Sequence, residues 1–77
     1  MIEIEQKQID LLEAYGWEKI SSKNVWMWSF TKADRRLNIY FTTGTVTAQG
    51  KDGYYKSFTE IHDLTKLEIA IKTIICN

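Results

Sequence analysis

Two consecutive stretches in the middle of the chain alternate apolar and polar side chains with a period of two. They are residues 25–31, VWMWSFT, and residues 36–42, RLNIYFT. Their large apolar positions are Trp26, Trp28, Phe30, Leu37, Ile39 and Phe41. Because successive side chains of a strand point to opposite faces, this pattern predicts two strands of an antiparallel sheet with one apolar face.

The segment FTTGTVTAQG, residues 41–50, carries no charge and predicts a third strand. Thr43-Gly44 fits a two-residue turn, because glycine tolerates the positive φ that a tight hairpin requires. The expected pairs are Thr42–Thr45, Phe41–Val46, Tyr40–Thr47, Ile39–Ala48 and Asn38–Gln49. In this register the apolar pairs share one face, whereas a slip by one residue would mix the two faces.

The first two strands are expected to pair through a four-residue loop at residues 32–35. That loop places Phe30 opposite Leu37, Trp28 opposite Ile39 and Trp26 opposite Phe41. We therefore expect Trp28 to be buried beneath the helices, and Met27 and Tyr40 to be accessible to solvent on the opposite face.

Helical periodicity occupies both ends of the chain. Apolar residues recur near the 3.6 period over residues 3–15, and Gly16 follows where a left-handed cap is expected. A C-terminal helical region is predicted to start at Ser57, which has the capping-box spacing to Glu60. Further caps within this region leave open whether it forms one helix or two, and we expect a break near Leu64.

These elements predict one α+β domain over residues 1–77, in the order α-β-β-β-α. The three strands form an antiparallel sheet of order 1-2-3, with the helices packed on one face. Such a layering buries one face of the sheet and leaves the other open to water or to a partner.

Composition narrows the function classes. The chain has 77 residues, and 10 Lys and Arg balance 10 Asp and Glu, so it lacks the strong basic charge that drives sequence-independent binding to phosphates. Cys76 is the only cysteine, which excludes a disulfide framework and fits a reducing cytoplasm. No apolar run reaches the length of a signal peptide or a membrane span, so we expect a soluble cytoplasmic protein with no membrane partner.

The sequence gives little support for catalysis. His62 is the only histidine and has no second ligand or nucleophile at a useful spacing. The glycines do not form a phosphate-binding loop. We therefore expect no enzyme, no metal and no cofactor.

The open face of the predicted sheet is the candidate binding surface. It combines an aromatic ring and a thioether with hydroxyls and amides, and basic residues stand at its rim; such a surface can stack on bases and contact phosphates. A solvated strand surface without any binding role is an equally ordinary explanation of these residue types. The candidate binding residues are Met27, Arg35, Arg36, Asn38, Tyr40, Thr42, Thr45, Thr47, Gln49 and Lys51.

Residues 41–50 resemble a pattern, aromatic-x-[Ser/Thr]-Gly-x-Val-x-x-Gln-Gly, of the N-terminal substrate-binding domain of bacterial type III ribonuclease H. The resemblance implies a fold like that of the TATA-box-binding protein, a sheet presented to nucleic acid, and no nuclease site. That family usually has a lysine directly after the turn glycine, where this chain has Thr45.

A weaker resemblance links LLEAYGWEKISSKNVWMWSF, residues 11–30, to the HicA-type toxins, which are small ribonucleases with a double-stranded-RNA-binding-like fold. Their catalytic histidine would fall at Asn24 or Val25, so the toxin activity is not implied. The TTGTV hairpin is also similar to hairpins of small phage and mobile-element proteins.

Two functions follow as expectations. The first is a non-enzymatic module that binds nucleic acid through the open face of a sheet like that of the TATA-binding protein or a double-stranded-RNA-binding domain. The alternative is a phage or mobile-element protein that docks on and inhibits a host or defence protein. A homodimer formed across the open face is also compatible with the sequence.

Overall fold

The computed structural model describes residues 3–22 and 24–76. The elements are α1 (Glu3–Ala14), β1 (Glu18–Ile20), β2 (Met27–Lys32), β3 (Arg35–Tyr40), β4 (Thr45–Gly50), β5 (Tyr55–Phe58) and α2 (Leu64–Thr73). All neighbouring strands are antiparallel, in the order β1-β2-β3-β4-β5. The α+β class is confirmed, but the prediction of three strands is wrong because the sheet has five.

The two additional strands lie at the edges of the sheet. β1 has only three residues and pairs with β2, and β5 pairs with β4. Ser57, the predicted helix cap, lies in β5 opposite Thr47. Without β5, the edge of β4 would have unpaired backbone N–H and C=O groups, and residues 55–58 pair with them. This strand pairing overrides the local helix-capping signal at Ser57. The expected helix start at Ser57 is therefore wrong.

The predicted pairing of β2 with β3 is correct, although its turn is shorter than expected. Trp28 lies opposite Ile39 and Phe30 lies opposite Leu37. The ladder continues to Lys32 and Arg35, so the turn has two residues, not four. Ala33 takes a φ of 53°, in the left-handed region that a non-glycine residue adopts only at a cost.

The predicted pairing of β3 with β4 is wrong by two residues. Tyr40 lies opposite Thr45 and Asn38 lies opposite Thr47, so the loop contains four residues, 41–44. A shift of two preserves the face of every side chain, and the apolar face is therefore predicted correctly even though the cross-strand neighbours are not.

Contacts from the segment before α2 account for the longer β3–β4 loop. The backbone N–H of Ile61 donates to the carbonyl oxygen of Gly44 at 3.0 Å. Nε2 of His62 lies 2.6 Å from the carbonyl oxygen of Phe41. A two-residue turn would place both of these carbonyls elsewhere, so long-range hydrogen bonds decide the loop length.

The C-terminus of α1 and the N-terminus of α2 are both capped by hydrogen bonds from nearby residues. At the C-terminus of α1, Trp17 N–H donates to Leu12 and Gly16 N–H donates to Glu13, which is the Schellman pattern, and Gly16 has a φ of 89°. α2 begins after Asp63, whose side chain accepts from the N–H of Thr65 at 2.9 Å. The C-terminal region thus contains a single helix, which starts at the predicted break.

One apolar core lies between the helices and the sheet. Its buried members are Ile9, Leu12, Trp17, Phe30, Leu37, Ile39, Val46, Ala48, Ile61, Leu67, Ala70, Ile71 and Ile74. Residues from α1, α2 and the central strands belong to the same cluster, so both helices pack on one face of the sheet, as predicted.

The tryptophans of the first alternating stretch have different environments. Trp28 lies on the helix-facing side and packs against the core, but it is half-buried, not fully buried. Nζ of Lys19, on the neighbouring edge strand, lies 4.3 Å from its ring centroid. Trp26 is 60% exposed in the loop before β2, so its expected place opposite Phe41 in the core is wrong.

Candidate functional site

Three cross-strand rows form the face of the sheet opposite the helices, which we call the open face. The first row is Met27–Tyr40–Thr45, the second is Ile20–Ser29–Asn38–Thr47–Ser57, and the third is Glu18–Thr31–Arg36–Gln49–Tyr55. With about 3.4 Å per residue along a strand, neighbouring rows stand about 7 Å apart. The first and third rows therefore lie at opposite ends of the open face.

Arg35 faces the helices and not the open face, which corrects its placement among the candidate binding residues. It is 3% exposed, and its Nε donates to the carbonyl oxygen of Ile75 at 2.7 Å. Its Nη1 lies 2.7 Å from Oδ1 of Asp52, and its Cζ lies 4.0 Å from the ring centroid of Tyr54. Arg35 thus joins β3 to the β4–β5 loop and to the residues after α2.

The charge of this cluster is internally compensated. The hydrogen bond from Arg35 lowers the pKa of the Asp52 carboxyl, and the N–H of Tyr54 acts in the same direction. The carboxylate of Asp52 in turn raises the pKa of Arg35. Arg35 is therefore not available as a cation for a ligand.

Gly50 makes the Arg35 cluster sterically feasible. A Cβ at this position would overlap Nη1 of Arg35 and lie 3.0 Å from Oδ1 of Asp52. The glycine that ends the TTGTVTAQG segment is thus required by the path of the Arg35 side chain. This structural role accounts for Gly50 without any ligand.

A groove of about 800 Å³ lies at the end of the sheet where the β2–β3 turn and the β4–β5 loop approach each other. Arg36 and Gln49 line it from the open face, and Lys51 lines it from the β4–β5 loop. Asp34 and the buried, ion-paired Arg35 also belong to its lining. Within the described part of the chain, Arg36 and Lys51 have no ion-pair or side-chain hydrogen-bond partner. Two cations are therefore available at the rim of the groove.

Tyr55 completes this end of the open face, and the sequence-based prediction missed it. It lies opposite Gln49 in the third row and is 61% exposed. The sequence predicts a loop at residues 50–56, GKDGYYK, before a helix, so neither tyrosine of this segment is assigned to a face. The one feature of the sequence that could have indicated a binding role for Tyr55 is its position next to a second aromatic residue, Tyr54.

The remaining predicted residues are distributed over the rest of the open face. Met27, Tyr40 and Thr45 form the half-buried first row, and Thr47 is half-buried in the second row. Asn38 is buried at the centre of the face.

Thr42 is the predicted binding residue that leaves the sheet altogether. It lies in the β3–β4 loop and is exposed there, because the loop contains four residues and not two. The structure therefore brings Arg36, Gln49 and Lys51 together with Tyr55, and separates them from the first row.

An apolar tip lies beside the first row. Val25 is 82% exposed and Trp26 is 60% exposed, just before Met27 opens β2. The loop has local order, because the N–H of Trp26 donates to Oδ1 of Asn24 at 2.8 Å. Exposed apolar side chains that adjoin each other can serve as a contact surface for another macromolecule.

The described residues contain neither a metal-binding group of side chains nor a membrane-spanning helix. Residues 3–22 and 24–76 contain no group of three or more histidine, cysteine or carboxylate side chains that could hold a metal ion. No helix within those ranges is both long and apolar enough to cross a bilayer.

Comparison with known proteins yields no relative. The chain matches no protein-family model, no curated protein and no solved structure. The surface itself is therefore the basis for any functional assignment.

Proposed function

We propose that this chain is a non-enzymatic module that binds single-stranded nucleic acid on the open face of its sheet. The observation that carries the proposal is the juxtaposition of the exposed Tyr55 ring with two cations, Arg36 and Lys51, and with the Gln49 amide at one end of that face. The resemblance of residues 41–50 to a pattern of the substrate-binding domain of type III ribonuclease H also supports nucleic-acid binding.

The chemistry of this end suits an unpaired strand. An exposed tyrosine offers a flat surface on which a base of any sequence can stack, and a cation beside it can contact the adjacent phosphate. In a duplex the base faces are already stacked on each other and are not accessible to a side chain. The open face should therefore favour single strands over duplexes.

The net charge of the protein determines how tightly we expect it to bind nucleic acid. The net charge is zero, so long-range attraction to phosphates is weak and affinity depends on the few local contacts. With Arg36 and Lys51 as the contributing cations, we expect micromolar binding that weakens at moderate salt.

The test is fluorescence anisotropy with labelled oligonucleotides of about 12 nucleotides, comparing single-stranded DNA, single-stranded RNA and duplex DNA at about 50 and about 200 mM salt. Saturable binding of single strands at low salt, with weaker duplex binding, supports the proposal. An unchanged anisotropy for every probe, at protein concentrations about tenfold above the micromolar range of non-specific binders, would exclude it.

A second candidate is a protein-docking module, such as a phage or mobile-element inhibitor of a host protein. The exposure of Val25 and Trp26 next to Met27 favours it, because aromatic residues and methionine are enriched in protein interfaces. This surface lies at the opposite end of the open face from Tyr55, so the two functions are separable. Trp26→Ala should abolish docking on a partner and leave oligonucleotide binding unchanged.

A further inference from the structure

The open face carries two tyrosines, which lie at opposite ends of it. Tyr55 belongs to β5 and to the third row, whereas Tyr40 belongs to β3 and to the first row. Tyr55 is 61% exposed, and Tyr40 is half-buried with Met27 and Thr45 as its cross-strand neighbours. A ring that its neighbours already hold in place loses little side-chain entropy when a base stacks on it. Tyr40 is therefore a second candidate stacking surface.

The register of the sheet sets the distance between these two positions. β3 and β5 are two strand spacings apart, and the first and third rows are two row spacings apart, so the Cα atoms of Tyr40 and Tyr55 are separated by about 17 Å. Successive nucleotides of a stacked strand are about 3.4 Å apart, and full extension roughly doubles this rise. A strand that reaches from one tyrosine to the other must therefore contain about four to six nucleotides.

The charges on the open face favour a path along β3 over a path across the third row. Beyond Arg36 the third row continues through Thr31 to Glu18, an exposed carboxylate in the edge strand β1. This carboxylate would repel the phosphates of a strand that crossed the sheet there. Along β3, the open-face residues beyond Arg36 are Asn38 and Tyr40, which carry no charge. A strand anchored near Tyr55 is therefore directed towards Tyr40.

From this arrangement we infer that Tyr40 is a second stacking residue, and that the open face holds a single strand of about five nucleotides between Tyr55 and Tyr40. The inference rests on the proposed binding of single strands. Arg36 and Lys51 contact the phosphates at the Tyr55 end, so a ligand too short to span the face occupies that end alone. The preferred ligand is thus a stretch of single strand, and not a mononucleotide or a dinucleotide.

The test measures how the affinity for oligo-dT depends on its length, from about 2 to about 12 nucleotides, in competition with a labelled oligonucleotide. For the wild type, the affinity should rise steeply up to about five nucleotides and only slowly beyond. Tyr40→Leu retains an apolar side chain but no flat ring, so it should weaken binding of a dT octamer about fivefold or more and leave binding of the dinucleotide unchanged. Tyr55→Ala should weaken binding of both.

Two matched variants and one measurement on the wild type complete the test. Tyr40→Phe keeps the ring and should retain the affinity for the octamer, and Thr45→Ala, in the same row, should leave every length unchanged. In NMR spectra of the wild type, the ring resonances of Tyr40 should shift on saturation with the octamer and stay in place with the dinucleotide, whereas those of Tyr55 should shift with both. This readout does not depend on whether Tyr40→Leu folds.

The outcomes separate the two proposals. The role of Tyr40 alone is overturned by octamer binding that Tyr40→Leu leaves unchanged, by equal losses for the octamer and the dinucleotide in that variant, or by unshifted Tyr40 ring resonances in the octamer complex. Absence of binding by oligonucleotides of every length overturns the proposed function and the two-ring site together.

Discussion

The imidazole of His62 lies directly against Gly44, so that a Cβ added at Gly44 would come within 2.9 Å of Nδ1 and 3.0 Å of Cε1 of His62. Gly44 also has a φ of 70°, and its backbone hydrogen-bonds to Tyr40 on one side and to Ile61 on the other. The β3–β4 loop and the segment that leads into α2 are therefore held together at a single glycine.

Gly44→Ala should destabilise the protein through two separate effects. An alanine at positive φ costs about 1–2 kcal/mol, and the clash with His62 adds to this cost. Gly53→Ala is the matched control, because Gly53 has a φ of 87° but a Cβ there meets nothing within 4 Å. Urea unfolding should show a larger loss of unfolding free energy for Gly44→Ala than for Gly53→Ala. Equal losses would mean that the contact with His62 is unimportant.

The positive φ of Gly44 was predictable from the sequence, whereas the length of its loop was not. Thr43-Gly44 between two alternating segments is a local turn signal, and the steric tolerance of glycine for positive φ predicts the conformation of Gly44 correctly. The actual loop depends on hydrogen bonds from Ile61 and His62, which lie 17 and more residues further along the chain. Side-chain alternation constrains only the face, and a two-residue shift satisfies it equally well.

The candidate site was predictable to a similar extent. The sequence already places Arg36, Gln49 and Lys51 near one another, because strand parity puts the first two on the open face and the third directly follows β4. Arg35 was misassigned because its burial depends on Asp52, Tyr54 and the chain after α2, which no local pattern reveals. Tyr55 was missed because β5 forms only where β4 offers it an edge.

Ala33→Gly should stabilise the protein. Ala33 occupies the left-handed region with a φ of 53°, where glycine avoids a steric cost of about 1 kcal/mol that alanine incurs. Ala14→Gly is the opposite control, because Ala14 ends α1 and glycine is up to about 1 kcal/mol less favourable in a helix. Thermal unfolding should give a higher Tm for the first variant and a lower Tm for the second. A lower Tm for Ala33→Gly would show that this turn gains nothing from relief of strain.

Acid should remove the contribution of Asp52 to stability. Arg35 holds the folded-state pKa of Asp52 below its unfolded value of about 3.9, so the stabilisation is fully present above that value and is lost as the pH falls through the lowered folded pKa. The difference in unfolding free energy between the wild type and Asp52→Asn should therefore be larger at neutral pH than at about pH 3, which lies below the unfolded pKa. Glu13→Gln, on an exposed position of α1, serves as a charge-matched control. A difference that stays constant with pH would show that the Asp52–Arg35 pair is not coupled to folding.

Tyr55→Ala should weaken single-strand binding without unfolding the protein. Loss of one stacked base costs about 1–3 kcal/mol of binding free energy, and truncating a side chain that is 61% exposed leaves no cavity in the core. Ile69→Ala is the matched control, because Ile69 is 58% exposed on α2, away from the open face. Anisotropy titrations should show weaker binding for Tyr55→Ala alone. Equal affinities for the two variants would place the bound strand elsewhere on the surface.

Arg36→Ala and Lys51→Ala should each change the salt dependence of binding by about one phosphate contact. A cation that neutralises one phosphate releases about 0.7 counterions from a single strand, so each variant should flatten the slope of log K against log salt by about 0.7. The loss of affinity should be the same for oligonucleotides of different sequence, because phosphates carry no sequence information. Lys72→Ala removes an equal charge from the last turn of α2, on the helix side of the protein, and should leave the slope unchanged. If all three variants flatten the slope equally, the effect reflects net charge alone, and the groove between the β2–β3 turn and the β4–β5 loop does not hold the phosphates.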